Sequence, residues 1–294
     1  MGGFMAQIPR KGCALITGGG GRLGRLLRAA RPFNPELQHE MIFQSRTPNG
    51  DIQWSEGDSL DHLPRCDAVI ALWGRTSGTD EELAENARLA ELSARVADHI
   101  GARRVVHMST AAVYGPGRLM NEDHPTENCN QYGKSKLDME RAVAHLQDRF
   151  GGRHICLRLA NVVGADSLAP ALRSPDAATI DMFNADTRAP QGPRRSYIGA
   201  GDLLSVFDGL LSVPAEDWPP VLNIACPTPI AMDDLIRAAD KDVIWRPAPA
   251  TATAEVSLDA SRLQALLPSL TFRTTALELI DEWRRLVSHG ESHA

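Results

Sequence analysis

Gly12-Cys13-Ala14-Leu15-Ile16-Thr17-Gly18-Gly19-Gly20-Gly21-Arg22-Leu23-Gly24 is the stretch that decides the fold. Its first part, Cys13 to Ile16, is a short apolar run typical of a strand buried in a parallel sheet. The pattern T-G-x-x-G-x-x-G follows, and a segment of helical composition runs on to Ala30. This order of strand, glycine turn and helix start predicts a diphosphate-binding site. Glycine lets the backbone approach the anion, and the free amide groups of the helix attract it.

A second pattern lies in the middle of the chain. Tyr132-Gly133-Lys134-Ser135-Lys136 is a Y-x-x-x-K, and the apolar residues that follow at helical spacing put Tyr132 and Lys136 on one helix face. Upstream, Ser109 and Thr110 follow a strand-like run, at the strand end where open α/β sheets bind ligands. Taken alone, the Tyr132–Lys136 pair is also typical of an exposed helix face, and Ser109 and Thr110 are also typical of a strand-end cap. The glycine turn, the strand-end hydroxyl groups and the Tyr-Lys pair follow one another in this order. Together they form a far more specific pattern than any one of them.

On these residues the chain resembles the extended short-chain dehydrogenase/reductase family, of the NAD(P)-dependent epimerase/dehydratase type. Arg158 to Gly164 match the family's R-x-x-N-V-x-G, and Asn86 matches its helical asparagine. With the alternation of strands and helices, the resemblance implies an α/β, Rossmann-type doubly wound parallel sheet with a small, interleaved C-terminal substrate-binding lobe. The NAD(P)-binding domain is expected at residues 1–164, with 203–225 returning to it, and the lobe at 165–202 and 226–294.

The resemblance implies an enzyme that transfers hydride at a sugar, a nucleotide sugar or a small carbonyl compound. Tyr132 would be the general acid/base, and Lys136 would lower its pKa by stabilising the phenolate. Thr110 would orient the substrate oxygen, with Ser109 as the less favoured alternative. Tyr114 is expected either near the substrate or as a structural aromatic.

The cofactor predicted from the resemblance is NAD(P), with NADP favoured over NAD. Ser45-Arg46 stands where NAD-preferring members have an acidic residue. The Arg46 guanidinium suits the 2′-phosphate of NADP. The alternative is that Arg46 is a solvated loop arginine with no role in binding. The predicted cofactor contacts are Gly18, Gly21, Arg22, Leu23, Gly24, Arg46, Asp58, Ala71, Leu72, Trp73, Tyr132 and Lys136.

The predicted substrate contacts are Ser109, Thr110, Asn161 and Arg195. Ala111-Ala112 stand where the family's dehydratases carry an Asp-Glu pair, which disfavours dehydration and leaves epimerase and dehydrogenase/reductase open. A second departure is Gly199, which replaces a histidine of the family pattern. The alternative function is a catalytically weak, dinucleotide-sensing regulatory protein.

Composition restricts partners and location. The net charge of −6 gives no basic footprint for nucleic acid. The five cysteines lack C-x-x-C spacing and indicate reduced thiols in a cytoplasmic protein, and we expect no signal peptide, membrane span or metal site. A homodimer is expected from the resemblance, through a face that includes Leu83, Ala87, Ala90, Leu92 and Val96, although the same residues would serve contact with the sheet.

Overall fold

The structure, a computed structural model, describes residues 12–183 and 190–291. Within these ranges the strands are β1 (Gly12–Thr17), β2 (His39–Ser45), β3 (Ile52–Gln53), β4 (Ala68–Ala71), β5 (Arg104–Thr110), β6 (Gly117–Met120), β7 (Arg153–Leu159), β8 (Asn161–Val162), β9 (Ala178–Met182), β10 (Arg194–Arg195), β11 (Tyr197–Ile198), β12 (Val221–Ile224), β13 (Ile230–Ala231), β14 (Val243–Pro247) and β15 (Glu255–Leu258). The helices are α1 (Arg22–Ala30), α2 (Asp80–Ile100), α3 (Gln131–Phe150), α4 (Ala169–Arg173), α5 (Ala200–Ser212), α6 (Met232–Ala238), α7 (Ser261–Leu266) and α8 (Ala276–Glu291).

The core of the molecule is a seven-stranded sheet in the order β12-β7-β5-β4-β1-β2-β3. Every neighbouring pair in it is parallel. Apolar strands such as Ala-Val-Ile-Ala in β4 are buried on both faces, because helices cover both sides of the sheet. The predicted Rossmann-type α/β fold is therefore confirmed.

Successive residues of each strand point to opposite faces of the sheet, so their side chains belong to two different hydrophobic cores. Leu15 of β1 packs with Leu92 and Val96 of α2, whereas Ile16 packs with Leu27 of α1 on the other face. Helices α2 and α3 pack together on one face, and α1 contacts α5 and α8. This arrangement leaves the carboxyl ends of β1, β4 and β5 along one edge, next to the start of α3.

The chain beyond residue 164 contains short strands that the sequence did not predict. One small sheet has the order β13-β10-β15-β6, and two-stranded pairs join β11 to β8 and β14 to β9. β12 returns to the central sheet as expected, beside β7. Near the C-terminus, α8 continues to Glu291. The proposed lobe boundaries remain a prediction, and α8 contacts α1 across them.

The apolar face expected to form a dimer is largely internal. Leu83, Ala90, Leu92 and Val96 are at most 6% exposed within a single chain. Because these side chains are covered within a single chain, they do not supply the predicted dimer face. No helix in the described ranges is long and apolar enough to cross a membrane. Nor do His, Cys, Asp and Glu gather there in a group that could hold a metal ion.

Candidate active site

The glycine-rich turn is packed too closely for side chains. Gly18 has φ +76°, and a Cβ there would lie 2.8 Å from the backbone nitrogen of Trp73. A Cβ on Gly24 would lie 2.6 Å from the carbonyl oxygen of Gly18. Glycine at these positions lets α1 begin directly against the end of β1.

The start of α1 fits an anion. The first helical hydrogen bond runs from Arg25 N to Gly21 O, so the amide groups of Arg22 to Gly24 precede the helical ladder. The helix has no side-chain cap and no acidic residue in its first turn. Beside it, the buried Thr17 hydroxyl has no hydrogen-bond partner among the described residues. These residues fit the diphosphate of a dinucleotide, held by amide groups and the helix dipole.

The end of β2 closes one side of this turn. Gly18 N donates to the Gln44 side-chain oxygen at 3.0 Å, and Gly19 N donates to the Gln44 carbonyl at 2.7 Å. The Ser45 and Thr47 hydroxyl groups are 3.2 Å apart, and Arg46 between them is exposed. The Arg46 guanidinium takes part in none of the ion pairs found in the described residues. Two hydroxyl groups and one unpaired cation therefore stand beside the glycine turn.

The predicted wall of the cofactor site lies partly where expected. Ala71 ends β4, Leu72 N donates to Thr17 O at 3.2 Å, and the backbone of Trp73 touches Gly18. These residues therefore border the turn. Asp58 is exposed, and its carboxylate accepts a hydrogen bond from Ser55 N at 2.8 Å. Its predicted role near adenine remains a prediction.

Helix α3 begins against the turn that follows β5. The Asn130 side chain caps the helix by accepting from Gly133 N at 2.9 Å. A Cβ on Gly133 would lie 2.4 Å from Ala112 O, so glycine permits this approach. As a result, the Thr110 hydroxyl lies near the Tyr132 phenol. The structure thus brings two of the predicted catalytic residues together.

The pKa of Tyr132 shifts in the direction opposite to the prediction. Burial raises the pKa of the phenol above its usual 10, and the nearby Thr110 hydroxyl opposes this rise only in part. The expected lowering by Lys136 is wrong for this geometry, because the ammonium group makes other contacts. Burial favours the neutral phenol, which suits Tyr132 to donating a proton.

Lys136 is 4% exposed, one helical turn from Tyr132. Its Nζ donates to the Met108 carbonyl at 2.8 Å and lies 3.7 Å from the Met139 sulfur. Burial lowers the pKa of Lys136 to about 8. A Cβ on Gly74 would lie 3.1 Å from Nζ, so the loop after β4 reaches the amine.

Asn86 of α2 holds the loop after β4. The sequence singled out Asn86 only by its match to the family's helical asparagine and gave no indication of its contacts. Its side chain accepts from Arg75 N at 2.9 Å and donates to Arg75 O at 3.1 Å. It also donates to the Ser135 hydroxyl at 3.1 Å, and Ser135 donates in turn to Tyr132 O. Asn86 therefore links the loop after β4 to the catalytic helix.

Ser109 does not face the predicted substrate site. Its hydroxyl donates to Glu140 at 2.5 Å, on the side of β5 away from Thr110. Glu140 is paired with Arg158 at 2.8 Å, and both are under 10% exposed. This placement argues against Ser109 as a substrate contact. Tyr114 is structural, since its buried hydroxyl donates to Asn223 at 2.8 Å and accepts from Arg158 at 2.9 Å.

The two remaining predicted substrate residues lie beyond β7. Asn161 is half-buried at the start of β8, with its backbone N–H bonded to Ser196 O at 3.2 Å. Arg195 donates to the carbonyl groups of Arg194 at 2.7 Å and Thr253 at 2.8 Å. No carboxylate in the described ranges pairs with it, and burial lowers its pKa. Such an arginine retains capacity for an anion.

Comparison with known proteins decides the family. The profile of the NAD dependent epimerase/dehydratase family matches residues 14–225. The chain belongs to this family. Its fold also matches MoeE5 in complex with UDP-glucuronic acid and NAD, with a TM-score of 0.73 at 20% identity over 93% of this chain and 99% of that one. A UDP-glucose 4-epimerase from Bifidobacterium longum with NAD⁺ and UDP gives 0.71 at 19% identity, over 95% and 99% of the two chains. Homologues and structural neighbours are NAD-dependent epimerases, dehydratases and dehydrogenases, so the protein is an enzyme of this group.

Two relatives found by sequence are named as enzymes of sugar nucleotides. The dTDP-6-deoxy-L-talose 4-dehydrogenase (NAD(P)⁺) of Kitasatospora kifunensis is 28% identical over 71% of this chain and 72% of its own length. The UDP-glucose 4-epimerase of Azospirillum brasilense is 34% identical over 35% of each chain. The epimerase relatives are matched over 20–35% of their own length.

Proposed function

We propose that this protein is an NADP-dependent oxidoreductase or epimerase that transfers hydride at a hydroxyl-bearing carbon of a nucleotide sugar. The observation that carries the proposal is the placement of the Thr110 hydroxyl near the Tyr132 phenol, one helical turn from the buried Lys136 and on the edge of the sheet that holds the glycine turn. When bound, the nicotinamide would supply the hydride acceptor and donor. The chain's own residues would supply proton transfer and orientation.

Tyr132 moves the proton in this proposal. When a substrate hydroxyl becomes a carbonyl, its oxygen would lose its proton to Tyr132 in the phenolate form, and in reduction the neutral phenol would give its proton to the new hydroxyl. The Thr110 hydroxyl would orient that substrate oxygen. Lys136 would hold the nicotinamide ribose.

Selection of NADP is assigned to the end of β2. The Ser45 and Thr47 hydroxyl groups with the Arg46 guanidinium offer donors for a 2′-phosphate, and there is no carboxylate at these three positions to bind both ribose hydroxyl groups instead. Arg22 and the amide groups of α1 would hold the diphosphate, with Gly18, Gly21, Leu23 and Gly24 shaping the turn. Asn161 and Arg195 would contact the diphosphate of the sugar nucleotide.

The relative matched over most of the chain favours a dehydrogenase or reductase over an epimerase. Ala111 and Ala112 occupy the short helical turn after Thr110, so no acid stands there for dehydration.

Native mass spectrometry, followed by assays of a panel of dTDP- and UDP-sugars with both cofactors, tests which reaction the protein catalyses. A dehydrogenase exchanges its cofactor in each turnover and changes its redox state. An epimerase retains the dinucleotide and interconverts two sugars. Absence of either activity with every sugar would favour a dinucleotide-sensing regulator.

A homodimer and a cytoplasmic location belong to the proposal as well. The exposed side chains of α2 and α3 include Arg88, Arg95 and Asp138, so a dimer through these helices would use charged contacts. Light scattering at micromolar concentration tests the dimer, and a monomeric mass would contradict it.

A further inference from the structure

Two free thiols lie in contact at the amino end of the central sheet. Cys13 is the second residue of β1, and Cys66 lies two residues before β4 begins. Their sulfur atoms are 2.7 Å apart, although the residues are 53 positions apart in the chain. The sulfur–sulfur bond of a disulfide is about 2.05 Å long, so a movement of less than about 1 Å would bring the two atoms to bonding distance.

Hydrogen bonds of the neighbouring residues hold the two cysteines in this position. The Asp67 N–H donates to the Cys13 carbonyl at 2.9 Å, and the Cys13 N–H donates to the Asp67 carboxylate at 3.0 Å. Cys13 Sγ also lies 3.1 Å from the Arg65 carbonyl oxygen. From Ala14 and Ala68 onward, β1 and β4 are paired in parallel. The two sulfur atoms therefore stay close for as long as this part of the sheet is intact.

The two thiols differ in their exposure to solvent. Cys13 is partly exposed, whereas Cys66 is 6% exposed. Burial and the contact with Cys13 raise the pKa of the Cys66 thiol, and the carboxylates of Asp67 and Glu40 raise it further. Cys66 is therefore a neutral thiol at neutral pH, and a reagent from solution meets Cys13 first.

We propose that Cys13 and Cys66 are a redox-responsive pair, which a low-molecular-weight disulfide oxidises to a reversible cross-link between β1 and the residues that lead into β4. Disulfides in reducing compartments are mostly transient, and a pair that opens and closes by exchange fits such a setting. This property of the fold is independent of the proposed function, because neither sulfur atom takes part in hydride or proton transfer.

The oxidation would proceed by two exchange steps. In the first, the thiolate of Cys13 attacks one sulfur of the external disulfide, whose S–S bond breaks and releases one thiolate. In the second, the Cys66 thiol gives its proton to water and its sulfur attacks the Cys13 sulfur, which releases the second thiolate. The two cysteines lose two electrons and two protons in total, and the external disulfide is reduced to two thiols.

The cross-link would close a loop that contains most of the predicted cofactor contacts, including the glycine turn, Arg46 and Asp58. Closing a long loop restricts the unfolded chain and so stabilises the folded protein. The glycine turn begins at the other end of β1, since the four residues from Cys13 to Thr17 span about 13 Å in a strand. Oxidation is therefore expected to stabilise the protein and leave the predicted cofactor site open.

The test uses glutathione disulfide as the probe, with alkylation of the remaining thiols and mass spectrometry as the readout. Cys129 is also partly exposed, so Cys129→Ser provides a simpler background. After oxidation this variant should be lighter by two hydrogen atoms, carry no glutathione and give a digest peptide pair joined through Cys13 and Cys66. Dithiothreitol should restore every thiol. Glutathione retained on Cys13, or free thiols at both positions after oxidation, would overturn the proposal.

Cys66→Ser in the Cys129→Ser background is the matched variant, because it replaces one sulfur with oxygen at the same place. Its oxidation should stop at a mixed disulfide between Cys13 and one glutathione, since no second thiol lies beside Cys13. A folded Cys66→Ser protein in which Cys13 still forms an internal disulfide would overturn the pairing. The measurement on Cys129→Ser does not depend on this variant, so the proposal remains testable if Cys66→Ser fails to fold.

Thermal unfolding measures the consequence of the cross-link. Oxidation should raise the Tm of Cys129→Ser by at least about 4 °C and should not raise that of the variant that also carries Cys66→Ser. Equal shifts in the two proteins, or an unchanged Tm in a protein shown to hold the cross-link, would overturn its stabilising role.

Discussion

At the residue scale, the difference between Thr110 and Ser109 is a matter of strand alternation. The two hydroxyl groups are neighbours in sequence, but one meets Tyr132 and the other meets Glu140. Only a group that faces the phenol can orient a substrate oxygen there. The sequence favoured Thr110 and kept Ser109 as the alternative, because the run Met108-Ser109-Thr110 does not reveal which residue of α3 each hydroxyl group meets.

Thr110→Ala should lower turnover by about 10²-fold, because it removes the hydroxyl near the Tyr132 phenol that would orient the substrate oxygen. Ser109→Ala is the control, because it removes the neighbouring hydroxyl, which bonds to Glu140 instead. It should reduce stability more than turnover, since it removes one of the two hydrogen bonds to a buried Glu140 oxygen. Steady-state kinetics and thermal unfolding of both variants check this. Equal losses of turnover in the two variants would contradict the assignment.

Arg46→Asp should reverse or abolish a preference for NADPH. The substitution replaces a cation with an anion next to the Ser45 and Thr47 hydroxyl groups, so a 2′-phosphate is repelled and free ribose hydroxyl groups gain an acceptor. We expect NADPH to bind at least about threefold more tightly than NADH before the change, a modest ratio because the side chain is exposed. Cofactor fluorescence titrations measure both ratios. Equal affinities in the unmodified protein would exclude this role for Arg46.

At the scale of elements, the approach of α3 to the turn after β5 creates the site. That approach depends on Gly133, because the Ala112 carbonyl oxygen lies too close to leave room for a Cβ at this position. Gly133→Ala should therefore push the helix away, at a cost of about 1–3 kcal/mol in stability, and should lower turnover as well. Lys134→Ala at the next, exposed position is the control and should change neither quantity much. Denaturant unfolding and kinetics of the two variants would show whether the close contact matters.

Elements with strong local patterns were predictable from sequence. The glycine turn, the central strands and the helix with Tyr132 and Lys136 each carry a motif or a periodicity of their own. The short strands β10, β11 and β14 were missed because they have two to five residues and are defined by distant partners. Glu140 was missed because a glutamate in a helix suggests a solvated face. Only its burial against Arg158 shows otherwise.

At the scale of the whole molecule, burial of a lysine makes stability depend on pH. Lys136 has an ordinary pKa of 10.5 and one of about 8 in the folded chain. Between these values the unfolded chain binds more protons, so the free energy of unfolding should rise with pH across this window, by about 3 kcal/mol. Below pH 8 the full cost of burying the charge is present. Lys136→Met should remove this part of the slope in denaturant unfolding. Identical slopes for both proteins would show that the amine does not titrate in this range.

The central claim is that Tyr132 transfers the proton for hydride transfer to or from a nucleotide sugar. Its most direct test is the rate of cofactor oxidation or reduction with the responding sugar of the panel, in the unmodified protein and in Tyr132→Phe. The substitution removes one hydroxyl from a half-buried ring, so cofactor affinity and thermal stability should stay close to their original values. The rate should fall by about 10²–10⁴-fold. A Tyr132→Phe variant that binds cofactor and turns over at the original rate would contradict the account.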